Sequence, residues 1–179
     1  MALADTELGP CYVYAGVSAT DGSGGTSLGY TFGPVNLMLK SSSAEKKVTQ
    51  LGVTIIDRVR NGIASAQIDL AFAEITPTKL AQIWMNVVAP SLTNAAYAVA
   101  PRVGVSMLGE ALTLCLRPII NGVETTTKDE WIICDKAAME ADFSLVYDES
   151  TQRSAKALIH LFPDESNSFR VVRFGDTSA

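Results

Sequence analysis

The sequence predicts a mainly β protein, an antiparallel β-sandwich or barrel with one flanking α-helix. Three observations predict this class. About eight short segments alternate apolar and polar residues, as half-buried strands do. Two Asn-Gly pairs, Asn61–Gly62 and Asn121–Gly122, are typical of hairpin turns, and a single amphipathic helical stripe follows the longest alternating run. Because the 179 residues are 47% apolar, we expect one domain over residues 1–179 with a sizeable core.

The first strand is predicted at residues 11–17, after a flexible N-terminus. A small, polar stretch follows at residues 21–27, which we expect to be a flexible Gly/Ser loop. Phosphate-binding loops need a strand before them and a helix after them, and neither a Gly-Lys-Ser/Thr ending nor a following helix is present. This loop is therefore not predicted to bind a nucleotide.

A long hairpin is predicted next. Residues 35–40 alternate as a strand, residues 40–47 form a polar hairpin tip, and the chain returns through residues 48–57 to a turn at Asn61–Gly62. Residues 63–75 then alternate with a period of two, so that one face meets a core and the other meets water. The charged residues of the tip are Lys40, Glu45, Lys46 and Lys47. The polar face carries Gln50, Thr54, Ser65, Gln67 and Asp69, and the apolar face carries Leu51, Val53, Ile68, Leu70 and Phe72.

The clearest helix begins after this strand. Thr76 suits the N-cap and Pro77 the first helical position, where the missing N–H costs nothing. Pro90 ends the helix. The apolar residues between them recur at helical spacing and are expected to cover the apolar face of the preceding strands: Leu80, Ile83, Trp84, Val87 and Val88.

The second half reads as further strands after an Ala-rich insert. Residues 91–109 are expected to be a loop. Strands are predicted at residues 111–120, 130–134, 141–147, 156–162 and 169–174, with a turn at Asn121–Gly122.

Residues with distinctive chemistry are few. The three cysteines are far apart in apolar surroundings, which is typical of buried thiols, and His160 lies alone in a strand-like run. Eight carboxylates between residues 124 and 149 could in principle include an acid/base pair, but solvated strand faces and turns explain them more simply. No metal, cofactor or catalytic residue is predicted, so we expect a protein that is not an enzyme.

Charge and hydropathy limit the partners. The net charge is -5, and no block of five or six basic residues occurs, which argues against sequence-specific binding of nucleic acid. Neither a signal peptide nor a long apolar run is present, so the chain is expected to be made in the cytoplasm and to have no membrane partner. An apolar, β-rich domain with few catalytic side chains is typical of a subunit that assembles.

Three stretches resemble the major tail tube proteins of long-tailed (siphovirus-type) bacteriophages. Residues 28–35 are similar to the family's approach to the strand before its long hairpin. Residues 64–80, with Leu70–Leu80 above all, are similar to its amphipathic strand that runs through a Glu and a Thr into a single helix. Residues 162–164 together with 170–176 are similar to its final hairpin.

The resemblance implies a structural virion protein whose hexameric rings stack into a hollow tail tube for DNA ejection. The polar face named above would then line a smooth, acidic lumen through which viral DNA passes without specific binding. The hairpin at residues 40–47 and the loop at residues 21–27 would become ordered when rings stack. Implied partners are further copies of the chain, the tape measure protein, the tail tip or initiator proteins and the tail terminator.

Alternatives remain open at this point. Within phage tails, a tail terminator or connector would form one closed ring and no filament. A monomeric ligand-binding β-barrel would use the same alternation to line an apolar pocket, although only 7% of residues are aromatic. A small hydrolase would require two carboxylates within about 5 to 10 Å in a cleft.

Overall fold

The computed structural model describes residues 9–48, 54–73, 87–88, 98–99, 103–140 and 155–175. This part of the chain is mainly β, as predicted, with three short 3-10 helices at Leu108–Glu110, Lys128–Glu130 and Glu165–Asn167. The strands are β1 (Cys11–Ala15), β2 (Thr26–Tyr30), β3 (Asn36–Val48), β4 (Thr54–Phe72), β5 (Val87–Val88), β6 (Ala98–Val99), β7 (Leu112–Ile120), β8 (Val123–Glu124), β9 (Ile132–Glu140), β10 (Ala155–Phe162) and β11 (Val172–Phe174).

One antiparallel sheet contains nine of these strands. Its main path runs β2-β1-β7-β9-β10-β4-β3, with β11 beside β9 and β8 beside β7. The chain just after β2 reaches back to β4 through a bridge between Thr31 and Phe72. Two backbone hydrogen bonds flank the bridge, from Phe32 N to Ala71 O at 2.7 Å and from Ala73 N to Tyr30 O at 3.0 Å. The sheet thereby closes into a barrel with β3 lying outside the closed ring.

The barrel interior is filled by side chains from alternate positions of the strands. Ile68, Leu70 and Phe72 on β4 are at most 2% exposed, and Ile159 on β10 is fully buried. Alternation places their polar neighbours Ser65, Gln67 and Asp69 outside, because successive side chains of a strand point to opposite faces. Further core residues come from every side of the barrel: Cys11, Val13, Leu28, Val35, Leu114, Leu116, Ile132, Cys134, Met139, Ala157 and Leu161.

The Gly/Ser segment, expected to be a flexible loop, is packed against the outer face of the sheet. Ser18 and Gly22 close it with a backbone hydrogen bond of 2.9 Å. Gly22 has a φ of +68°, and a Cβ built there would lie 2.7 Å from Ile133 Cδ1. Hydrogen bonds from Ser23 and Lys128 hold the pKa of Asp21 well below its usual range. Gly22 therefore allows the loop to pack closely on the sheet, and the hydrogen bond from Lys128 to Asp21 holds the loop in this position.

The predicted helix after the long strand and the strand predicted at residues 141–147 lie mostly or wholly outside the described residues. The helix expected from Thr76 falls outside the described residues except at its end, where Val87 and Val88 form β5 and pair with Ala98 and Val99. The helix prediction is wrong for these two residues, because the branched valines suit a strand better than a helix. The strand predicted at residues 141–147 lies outside the described residues.

The second Asn-Gly pair forms the predicted hairpin turn. Asn121 and Gly122 have φ of +53° and +78°, and they join β7 to β8 with Ile120 opposite Val123. Positive φ at both central residues is the geometry of a type I′ turn, which suits the twist of a two-residue hairpin.

Candidate assembly interface

A long hairpin extends beyond the barrel. Strand β10 covers β4 only from Phe72 to Gln67, whereas β3 and β4 remain paired from Asn36–Asp69 out to Val48–Thr54. We call residues 39–48 and 54–65 the arm. Of its side chains that the structure describes, all but the half-buried Ser42 are exposed. The arm is therefore a two-stranded ribbon with two solvent-facing surfaces.

Both long edges of the arm lack a neighbour within the described chain. Strand β3 pairs with β4 alone, and the outer half of β4 has no strand on its other side. Unpaired N–H and C=O groups along such edges can hydrogen-bond a strand from another chain. The arm is thus the feature of the described chain that is best suited to pairing with a further copy.

The arm overturns two predictions. Residues 40–47, predicted to be a hairpin tip, belong to β3, and Asn61–Gly62, predicted to be a turn, lie inside β4. The register shifts three times, because β4 has one extra residue at each of three bulges. These extra residues are Ile56, Asn61 and Ala64. Gly62 has a φ of +109°, which accommodates one of these bulges. The Asn-Gly pair therefore supplies a bulge in a continuous strand instead of a turn.

The predicted lumen-facing residues are brought together in part. Asn36 pairs with Asp69, Met38 with Gln67 and Lys40 with Ser65, so these six side chains share the outer face. Thr54 is the first residue of β4, and Gln50 lies outside the described residues. Among the predicted core residues, Leu51, Val53, Leu80, Ile83 and Trp84 also lie outside the described residues.

The same outer face continues onto the neighbouring strands. Lys156 pairs with Ala71 and His160 with Gln67 on β10, and His160 Nε2 lies 2.9 Å from Glu140 on β9. With Lys136 on β9 and with Lys40 and Asp69 on the adjoining strands, this face carries three lysines and two carboxylates beside His160. The described part of this face is therefore not acidic, unlike the lumen that the resemblance implies.

The arm itself is cationic. It contains five Lys or Arg residues against Glu45 and Asp57, a net charge of +3. Because the whole chain carries -5, the remainder carries -8. Arg58 bridges to Glu45 across the strands at 3.2 Å, and both side chains are partly exposed, so the pair stabilises the arm only slightly. The chain is thus divided into a basic arm and an acidic body.

Apolar side chains interrupt this charge. Leu39, Val59 and Ile63 on the arm are 45%, 51% and 53% exposed. Leu39 and Ile63 lie on the face that continues the barrel core, since Leu37 on that face pairs with the buried Ile68. Exposed apolar side chains do not contribute to phosphate binding, whereas a protein partner would bury them. The arm is therefore better suited to a protein partner than to nucleic acid.

The carboxylates in the described part of the acidic region mostly have structural partners. Glu124 accepts a hydrogen bond from the Tyr14 hydroxyl at 2.8 Å and forms an ion pair with Arg117 at 2.9 Å. The Arg117 guanidinium lies 4.0 Å from the ring centroids of both Tyr14 and Trp131. Arg117 also donates to Gly22 O at 3.1 Å, so this cluster fastens the Gly/Ser loop to the sheet.

A second structural group is buried beside β11. The Asp135 carboxylate is fully buried and lies 2.7 Å from Arg173, whose side chain is 4% exposed. Arg173 also donates to Thr20 O at 3.2 Å. This ion pair ties the final strand to the loop that precedes Gly22.

Within the described ranges, no three His, Cys, Asp or Glu side chains are grouped so that they could hold a metal ion. The same residues include no helix that is long and apolar enough to cross a membrane. No known protein family model matches the chain, and no curated protein is significantly similar to it.

Proposed function

We propose that the chain is a structural subunit of a bacteriophage tail tube, made in the host cytoplasm and assembled into the virion. In this proposal its copies form hexameric rings that stack into a hollow tube for DNA ejection. The observation that carries the proposal is the arm, a long hairpin with two unpaired edges that protrudes from a filled barrel.

The arm supports assembly because it is poorly suited to exist alone. A two-stranded hairpin in water is marginally stable unless a further strand or a packed surface supports it. If β3 of one copy pairs with the free edge of β4 in the next, strand direction alternates throughout and an antiparallel sheet continues across the boundary. Such a head-to-tail contact uses two different edges, and it produces a ring when the rotation closes.

The barrel supplies the strands for a channel of suitable width. Strands β9, β10, β4 and β3 lie side by side and present the outer polar face described above. If each of six copies turns these four strands toward the lumen, the channel wall is 24 strands wide in all, which at ~4.8 Å spacing and ~40° tilt corresponds to a backbone diameter of about 48 Å. This diameter accommodates a DNA duplex together with side chains, and a polar face of mixed charge would bind phosphates weakly.

The tape measure protein, the tail tip or initiator proteins and the tail terminator are the further partners in this proposal. A tail terminator or connector is the second candidate function, since an edge-paired ring could equally remain single. The filled interior, with Leu28, Ile68 and Ile159 fully buried, gives no support to a ligand-binding barrel.

Negative-stain electron microscopy with size-exclusion chromatography tests the proposal. Purified protein at high concentration should form hollow filaments with an axial repeat. Deleting two cross-strand pairs, Ser43 with Arg60 and Ala44 with Val59, shortens the arm in register and should abolish filaments. An unchanged thermal midpoint of this variant would show that the barrel still folds.

Single rings without filaments would favour the terminator. A monomer at every concentration, even with a tail-tip extract added, would refute the proposal.

A further inference from the structure

The two Asn-Gly pairs of the chain place the same reactive dipeptide in two different backbone geometries. The asparagine and the glycine of both pairs are exposed, and nothing lies within 4 Å of a Cβ built at Gly62 or Gly122. Asparagine is a chemically labile residue, and a following glycine leaves its own backbone nitrogen unshielded because it has no side chain. In both pairs, solvent therefore reaches the asparagine carboxamide and the glycine nitrogen that could attack it.

The hairpin turn protects Asn121 from this attack. A φ of +53° places Asn121 in the left-handed region, where ψ is about +30° to +50°. At such a ψ the Gly122 nitrogen lies nearly opposite Cβ across the Cα–C bond, and hence far from the carboxamide carbon. The hairpin is held just behind the turn by a hydrogen bond of 3.0 Å from Thr125 N to Pro118 O. The turn therefore keeps the two reacting atoms apart.

The bulge in the arm gives Asn61 no such protection. Ser42 pairs with Gly62 and Ser43 with Arg60, so Asn61 has no partner on β3. Asn61 does not have a positive φ, and a rotation of ψ toward and past 180°, along the edge of the extended region, brings the Gly62 nitrogen toward the carboxamide carbon. Strand β10 does not reach this part of β4. A two-stranded ribbon without a third strand also opens locally more often than a barrel does.

The charge of the arm favours the reaction further. The attacking nitrogen must lose its proton, so negative charge develops first on this nitrogen and then on the carboxamide oxygen. The arm carries a net charge of +3, and Arg60 precedes Asn61 directly. A positive potential stabilises the developing negative charge.

We propose that Asn61–Gly62 is a site of spontaneous deamidation in the arm, with water as the only co-reactant. The deprotonated Gly62 nitrogen bonds to Asn61 Cγ, and the carboxamide nitrogen leaves as ammonia, which closes a five-membered succinimide ring. Water then opens the ring at either carbonyl. Opening at Cγ gives aspartate, whereas opening at the main-chain carbonyl gives isoaspartate, whose backbone contains one additional carbon. Either product lowers the net charge of the arm from +3 to +2 at neutral pH.

Isoaspartate at this position changes the pairing of the outer arm. Asn61 lies between the pairs Gly62–Ser42 and Arg60–Ser43, so an added backbone carbon displaces every pair from Arg60–Ser43 outward. Strand pairing depends on a side-chain period of two, which the longer backbone interrupts. In isoaspartate-rich protein, the amide hydrogens of the outer arm should therefore exchange faster, while those of β7 and β9 should not change. Unchanged exchange in the outer arm would overturn this consequence.

Peptide mapping of the full-length chain, aged in mildly alkaline buffer, tests the proposal. Electron-transfer fragmentation distinguishes aspartate from isoaspartate. Asn61 should convert to both products at least about tenfold faster than Asn121, because the arm opens more often than the hairpin turn. The rate should rise with pH, since the nitrogen must lose its proton. In urea-unfolded chain, the control, both pairs should react at similar rates. If Asn121 reacts as fast as Asn61 in the folded chain, or if Asn61 reacts only after unfolding, the proposal is wrong.

Asn61→Gln and Asn121→Gln are matched variants for a second test. Glutamine would have to close a six-membered ring, which forms much more slowly. Asn61→Gln should remove the acidic species that ion-exchange chromatography separates from aged protein, and Asn121→Gln should leave it unchanged. Persistence of that species in Asn61→Gln would overturn the proposal. These measurements need no filaments, so they decide the proposal even if the chain forms neither rings nor tubes and the proposed function fails.

Discussion

Replacing Gly22 with alanine should destabilise the protein much more than the same replacement at Gly24. Both glycines lie in one loop with nearly equal φ, +68° and +70°. A non-glycine residue in this left-handed region costs roughly 1 to 2 kcal/mol, and both variants bear that cost. The two positions differ in space, since nothing lies within 4 Å of a Cβ built at Gly24.

The added cost at Gly22 comes from overpacking. Its new Cβ would meet Ile133 Cδ1 at 2.7 Å, Ile133 Cγ1 at 3.1 Å and Trp131 Cε3 at 3.4 Å. Both partners are buried, so they cannot move aside without disturbing the cluster around Arg117. Forcing a methyl group into a packed site typically costs about 1 to 3 kcal/mol. We therefore expect Gly22→Ala to lose roughly 2 to 5 kcal/mol and Gly24→Ala roughly 1 to 2 kcal/mol.

Thermal and urea unfolding of the monomer, followed by circular dichroism, measures both variants. The difference of about 1 to 3 kcal/mol corresponds to a thermal midpoint lower by roughly 2 to 12 °C for Gly22→Ala than for Gly24→Ala. Equal midpoints for the two variants would refute the reasoning. The loop would then lie off the sheet in the monomer, which would return it to the role of a segment that becomes ordered on assembly.

Three further predictions concern buried and charged groups. Arg173→Met should lower the free energy of unfolding by about 3 to 5 kcal/mol in urea titrations, because it leaves the fully buried Asp135 carboxylate without its closest cation. The three buried thiols should react with a thiol reagent only after unfolding. Burial raises the pKa of Cys11 to about 11, so the thiol ionises first in the unfolded chain. The free energy of unfolding should therefore fall as the pH rises above about 9. Asp21→Asn should lower the thermal midpoint at pH 7 and flatten its decline below about pH 4, since hydrogen bonds that depress the Asp21 pKa add stability only while the carboxylate is ionised.

Local patterns predicted strand β10 well because it follows one rule. Strand β10 buries Ala155, Ala157, Ile159 and Leu161 and leaves the residues between them less buried, so a period of two is visible in the sequence. The turn at Asn121–Gly122 followed from positive φ, which few other residue pairs adopt easily. In these elements, local preference and tertiary packing favour the same structure. Strand β9 was predicted only over residues 130–134, although it extends from Ile132 to Glu140, because it is buried on both faces and does not alternate.

The arm could not be predicted in this way because neither of its faces is buried in the monomer. Residues 40–47 are mostly lysine and serine, which are common in loops, and a strand with two solvated faces has no hydrophobic alternation. Asn61–Gly62 is typical of a turn, yet the strand bulges there and continues. Beyond the arm, the structural role of Arg117 was missed, since its partners Tyr14 and Trp131 are distant in sequence.

The features that make the arm resemble a loop in sequence would also limit its pairing with the wrong strand. A long, flat, apolar edge strand would pair with any other strand and aggregate during synthesis. Lysines along β3 and three bulges along β4 oppose such pairing. Their charge and local twist make edge-to-edge pairing with an unrelated strand energetically unfavourable. In the proposed function, only a partner strand that matches this twist and offsets this charge would compensate for that cost. If the proposed function is right, a stable monomer at low concentration and a regular filament at high concentration would both follow from the same arm.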